Sequence, residues 1–292
     1  MKGEEHLWGV LNDKLDTLRA TNRMAEAIRV GQSALEIAKR SFGTGDIRLA
    51  LSYEKLGLLH EQNGDRPGAK AYLINAHRLL GRMQPRNERA FFSSARRLGQ
   101  LSNELGHTEE AIDFYEQAVA ASSHLPDLPF SDLGALLNNT ALICRKAGRP
   151  AAAEPYYLRA LQIYETQLGS EHPDVASVLN NLGVCYTNEK RFTEAEQVHL
   201  RALAIREKAF AISHPDIAQS KCNLAVVYHS RGDYERASEL YRASLQTWEE
   251  AVAKPPEEYE VVAANYADLL RSLGQARKAH AVESRARKKR RG

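Results

Sequence analysis

The sequence predicts an all-α solenoid of about seven antiparallel helix pairs, and three observations carry that prediction. Seven alanines recur every 42 residues without insertion or deletion: Ala27, Ala69, Ala111, Ala153, Ala195, Ala237 and Ala279. A fixed period of this size is the mark of a stacked repeat. A second small-residue series follows seven positions later, at Ala34, Ala76, Ala118, Ala160, Ala202, Ser244 and Ala286. Seven residues is close to two helical turns, so both series share one helix face, where a neighbouring backbone can come close. Five residues before each alanine stands a breaker, namely Asn22, Gly64, Gly106, Gly148, Lys190, Gly232 or Gly274. Gly is favoured where a helix ends at positive φ, and Asn tolerates that conformation next best. Lys190 is the exception and is expected to sit in a strained turn.

Taken in order, the elements follow from this frame. The first unit opens near Leu7 and carries Lys14-Leu15 where the second, third and fifth units carry Leu-Gly, as expected of a cap. Gly43-Thr44-Gly45 is a loop between units and lacks the third glycine of a dinucleotide motif. Gln84-Pro85-Arg86 and the 122–131 stretch with Pro126 and Pro129 are further connections. In the fifth unit Val178, Leu179, Leu182, Gly183 and Tyr186 are spaced by one, three and four, which suits a helix. Ala195, His199, Ala202 and Ile205 repeat that spacing after the turn. His172-Pro173-Asp174 and His214-Pro215-Asp216 read as helix starts, since proline and acidic residues suit the first turn. Pro255-Pro256 opens the last unit, which carries Tyr266-Ala267 and ends near Ala286. Residues 1–286 are therefore expected to form one solenoid, and residues 287–292 a basic tail.

These residues resemble a known family. Leu98-Gly99, a breaker glycine, the marker alanine, Tyr115 and Ala118 match the tetratricopeptide repeat pattern, as do Leu182-Gly183, Tyr186, Ala195 and Ala202. The family's usual period is about 34 residues. The 42-residue period and Leu179-Asn180-Asn181-Leu182 resemble the long-helix subclass typified by kinesin light chain. The resemblance implies a right-handed superhelix whose first helices line a concave groove.

Composition bounds the function. The net charge is +3, and Arg285, Arg287, Lys288, Lys289, Arg290 and Arg291 supply six positive charges. Such a tail can bind nucleic acid or an acidic surface, or simply be a solvated helix end favoured by the helix dipole. No aromatic residue interleaves with it, against a single-strand-binding platform. No apolar run reaches membrane-spanning length, and the start Met1-Lys2-Gly3-Glu4-Glu5 is not that of a signal peptide. Cys144, Cys185 and Cys222 are few, odd in number and far apart. Buried reduced thiols and a cytoplasmic location are expected.

No sequence motif for catalysis, phosphate binding or zinc binding is present. His172 and His214 lie in different units with no acidic cluster repeated beside them. Glu109-Glu110 and Glu249-Glu250 are expected on solvated faces. No metal or cofactor is implied, and the chain reads as non-enzymatic.

The candidate site is a row fourteen residues before each marker alanine: Asp13, Lys55, Arg97, Asn139, Asn181, Asn223 and Asn265. It is polar at every step, and beside it stands a leucine expected to be buried at Leu56, Leu98, Leu182 and Leu224. One reading is that each Asn ties neighbouring helices together. The other follows the resemblance, in which the matching row grips an extended peptide. An amide suits that task because it both donates and accepts. Between Arg66 and Gln100 eight basic residues face one acidic residue, Glu88. That section is expected to attract acidic ligands, with Arg97 reaching the groove. The sequence thus points to a protein-interaction scaffold or adaptor for an extended or short helical peptide with acidic residues. A nucleic-acid- or acidic-surface-associated protein using the tail, and a self-assembling scaffold, are the alternatives. Oligomeric state is left open.

Overall fold

Fourteen helices make up the secondary structure of the described residues, 2–252 and 255–291 of a computed structural model. Met1 and Gly292, and the side chains of Arg290 and Arg291 in the basic tail, lie outside them. The helices alternate as first and second members of seven repeats. These are α1 (Lys2–Ala20) with α2 (Met24–Ser41), α3 (Ile47–Gln62) with α4 (Arg66–Arg82), and α5 (Glu88–Glu104) with α6 (Thr108–Ser122). There follow α7 (Phe130–Lys146) with α8 (Pro150–Leu168), and α9 (Pro173–Asn188) with α10 (Phe192–Ala209). The last are α11 (Pro215–Arg231) with α12 (Tyr234–Ala251), and α13 (Glu257–Ser272) with α14 (Ala276–Arg291). The chain divides into two units, Met1–Leu136 and Leu137–Gly292, with the division inside α7.

In the first unit, α2 packs on α1 and α3, and α4 on α3 and α5. In the second, α8 packs on α9, α10 on α9 and α11, and α12 on α11 and α13. There the first helices also touch one another, α9 with α11 and α11 with α13.

The turns obey the breaker row. Gly64, Gly106, Gly148, Gly232 and Gly274 all have φ between 74 and 87°, and Asn22 and Lys190 hold 57 and 61°. Lys190 is a side chain in the left-handed region, as expected of a strained turn. Helix starts are capped as their sequences allow. Asp65 and Asn87 accept from the amides of Gly68 and Ala90. His172 and His214 do the same through Nδ1 for Asp174 and Asp216, each at 3.1 Å, so both are structural caps.

All seven marker alanines have zero exposure, and the second series lies between 0 and 2%. Ser244 fits that series because its hydroxyl donates to the Ala218 carbonyl at 2.6 Å.

Four of the helix pairs close by size complementarity around a glycine. A Cβ placed on Gly57 would lie 2.7 Å from Leu73 Cγ, and one on Gly99 would lie 2.8 Å from the Tyr115 ring. The same slots hold Gly183 against His199. In the first repeat the sizes are exchanged. Leu15 occupies the first-helix slot and Gly31 the facing one, with Leu15 Cδ1 3.0 Å from the position of a Cβ on Gly31. That exchange is why the first repeat lacks the Leu-Gly pair.

Candidate functional site

Two lysine and arginine members of the polar row lie in the first unit, and each is already partnered. Lys55 Nζ is 2.8 Å from Asp16 of α1, and Arg97 NH2 is 2.8 Å from Glu61 of α3. In both cases the first helix of one repeat supplies the carboxylate for the next. The Lys55 side chain is 27% exposed and that of Arg97 40%. Glu54, half-buried on α3, has its carboxyl pushed up by burial, with the Arg97 charge opposing.

The basic run of α4 and α5 is largely neutralised. Arg66 pairs with Glu104, Lys70 with Glu110, Arg86 with Glu88, and Arg89 with Asp127. Arg96 lies 3.9 Å from Asp132. Lys70 is buried and also contacts His107 Nδ1 at 2.6 Å. Five of the acidic partners, Glu61, Glu104, Glu110, Asp127 and Asp132, lie outside the 66–100 window. They reach it only because neighbouring helices stack.

In the second unit the row is an amide ladder. Asn181 Nδ2 of α9 donates to Asn138 Oδ1 of α7 at 3.1 Å, and Asn223 Nδ2 of α11 donates to Asn180 Oδ1 of α9 at 2.9 Å. Gln219 donates to Asn223 Oδ1 at 2.9 Å. Asn180 is buried, whereas Asn181 and Asn223 are half-exposed and Asn139 is exposed. The ladder ends at α13. Asn265 meets the Cys222 thiol there instead of an amide. Burial pushes that thiol up to about 12, with the Asn265 hydrogen bond opposing. It is therefore not a reactive thiolate. All three cysteines are buried and free.

One turn on from each amide, on the same face, stand Leu142, Val184 and Val226, all half-exposed. The face thus offers amide groups beside aliphatic contacts. An amide has two N–H donors and two acceptor lone pairs. Its ladder bond uses one N–H of Asn181.

One repeated cluster was not read from the sequence. Glu154 of α8 accepts from Tyr186 Oη at 3.0 Å and from Arg191 NH1 at 2.7 Å, with the guanidinium 4.2 Å from the Tyr186 ring centroid. The next repeat has Glu196 accepting from Tyr228 at 2.7 Å and Arg231 at 2.7 Å. The Tyr and Glu positions are again 42 residues apart, which was the available signal. The Arg191 hydrogen bond holds the Glu154 carboxyl low. Burial, then Glu154, pushes the Tyr186 hydroxyl up to about 12.

The basic end of α14 is partly tied down. Arg285 and Lys289 both reach Glu249 of α12, whose side chain is only 14% exposed. Glu249 also accepts from Tyr259 at 2.6 Å. It is therefore an ion-pair hub and not the solvated carboxylate its sequence suggests. Arg287 and Lys288 are exposed. Among the described residues no three His, Cys, Asp or Glu side chains converge as metal ligands. No helix among them is long and apolar enough to cross a membrane.

The tetratricopeptide repeat profiles match residues 97–124, 132–208 and 174–250, together half of the chain. The Arabidopsis thaliana protein KINESIN LIGHT CHAIN-RELATED 3 is 27% identical over 144 residues. Those residues are 49% of this chain and 22% of that relative, so the match spans about a fifth of the relative's length. The crystal structure of BtubC (BKLC) from P. vanneervenii superimposes with a TM-score of 0.58 at 26% identity, over 80% of this chain and 94% of that one. A tetratricopeptide repeat protein from Parabacteroides merdae shares the fold, with a TM-score of 0.61 at 19% identity over 82% and 79% of the two chains. With its 42-residue helix pairs, positive-φ turns and buried small-residue face, the chain belongs to the tetratricopeptide repeat family and resembles kinesin light chain.

Proposed function

We propose that this chain is a non-enzymatic protein-interaction scaffold whose second unit holds a peptide on its first-helix face, through Asn139, Asn181, Asn223 and Asn265. Family membership supports the general role, because stacked helix repeats present extended binding surfaces. The amide ladder carries the specific reading. It fixes the rotamers of Asn181 and Asn223 while leaving each amide capacity for a peptide group. Orientation is thereby set before the ligand arrives, which lowers the ordering cost of binding. Leu142, Val184 and Val226 would take apolar side chains between the amide contacts. The bound segment is extended or a short helix.

In the first unit, Lys55 and Arg97 are the proposed source of a preference for acidic residues. An acidic ligand would share or displace Asp16 and Glu61 there, so the preference is modest and salt-sensitive. Buried free thiols fit a reducing compartment, and we place the protein in the cytoplasm.

A peptide library displayed against the whole chain tests the reading. Selected peptides should lose about 1–3 kcal/mol of affinity with Asn181→Ala or Asn223→Ala, the scale of an unpaired desolvated peptide group. Melting temperature should fall far less. Variants that melt early yet bind the same peptides normally at low temperature would refute it.

A further inference from the structure

None of the amide-row residues lines the cleft between α12 and α14. It encloses about 670 Å³, within the range of small-molecule sites. Its floor is apolar, formed by Leu245, Tyr259, Tyr266 and Leu270. Its rim is cationic, with Arg242 on α12 and Lys278 and Arg285 on α14. The carboxylate of the lining, Glu249, is already engaged by Arg285, Lys289 and Tyr259. Among the described residues neither Arg242 nor Lys278 has a carboxylate within ion-pair distance. Arg242 makes one contact, to the Ser238 carbonyl at 3.3 Å. The cleft therefore carries uncompensated positive charge over an apolar floor.

The repeat frame shows why it opens here. Ala281 and Val282 stand where the preceding repeat has Glu239 and Leu240. Both replacements are smaller, so α14 offers the cleft less bulk here than α12 carries at the same positions. Arg285 stands where the preceding repeat has Ala243, so a cation is added as bulk is removed.

We propose that this cleft binds a small amphipathic anion, with its apolar body on the tyrosine-leucine floor and its acidic head between Arg242 and Lys278. An apolar body gains from removal of its surface from water. The head gains from charges that no protein group neutralises. A neutral ligand of the same shape receives only the first contribution.

Calorimetric titration of the full chain with decanoate, and with decanol as the uncharged control, tests this. Decanoate should bind at least tenfold more tightly than decanol. The double variant Arg242→Glu/Lys278→Glu changes two exposed side chains, so its fold should survive. It should weaken decanoate at least tenfold and leave decanol unchanged. Ala281→Trp should fill the cleft and abolish both. The proposal is overturned if decanoate fails to bind, if decanoate and decanol bind alike, or if the charge-reversed protein binds decanoate as the wild type does.

Discussion

Replacing Gly99 by Ala sets two calculable effects against each other. In a helix interior Ala is favoured over Gly by about 1 kcal/mol. At Gly99, however, the new methyl would sit 2.8, 2.9 and 3.0 Å from three atoms of the Tyr115 ring. Tyr115 is 5% exposed and packed between α5 and its neighbours, so the ring is not a flexible end that can swing away. Overpacking of this kind costs about 1–3 kcal/mol. The steric effect should win, with a net loss of about 1 kcal/mol and a melting temperature lower by about 2–4 °C. Gly9 in α1 provides the opposite case, because nothing lies within 4 Å of its added Cβ. Gly9→Ala should stabilise by about 0.4–1 kcal/mol. Circular dichroism melts and urea midpoints on the two variants read the sign directly. A Gly99→Ala protein at least as stable as the parent would refute the close-approach explanation of the Leu-Gly positions.

Three further outcomes are expected. His199 is fully buried, and burial, helped by Arg206 and opposed by a weak contact with the Gly183 backbone, lowers it to about 4. Its unfolded value is near 6.5, so the unfolded chain takes up the proton first and stability falls as pH drops from about 6.5 to 4, by up to about 3 kcal/mol. His199→Tyr, the residue used in this slot by Tyr115, Tyr157 and Tyr241, should flatten that decline in urea titrations across the pH range; an unchanged slope would exclude His199 as its source. Ala195→Leu should cost about 1–3 kcal/mol at a fully buried contact, whereas Gln197→Leu, exposed two residues on, should change the urea midpoint little. Glu154→Ala should cost about 1 kcal/mol by removing the acceptor shared by Tyr186 and Arg191, and a double-mutant cycle with Tyr186→Phe should show coupling between the two sites.

The repeat frame was fully legible because it depends on local and periodic demands. A helix ending in a tight turn needs a residue that tolerates positive φ. A helix packed close to its neighbour needs a small side chain, and both needs recur with the period. Asn22, Lys190 and the zero exposure of Ala195 follow from that logic alone. Even the missing Leu-Gly pair of the first repeat was visible. Its compensation by Gly31 was not, because that involves a residue on the facing helix.

The chemistry of the polar row was legible only in residue type. Sequence counted eight cations between Arg66 and Gln100, but their charge depends on Glu61, Glu104, Glu110, Asp127 and Asp132, which stacking brings alongside. It likewise named Asn181 and Asn223 without their ladder partners Asn138 and Asn180, each 43 residues earlier. It read Glu249 as solvated, where three donors from α13 and α14 surround it. Periodicity by itself determined which residues turn, cap and pack, because those choices are made within one helix and its turn. Tertiary structure alone decided which charges are neutralised and which amides are occupied, since hydrogen bonds and ion pairs act over a few ångströms between residues one repeat apart.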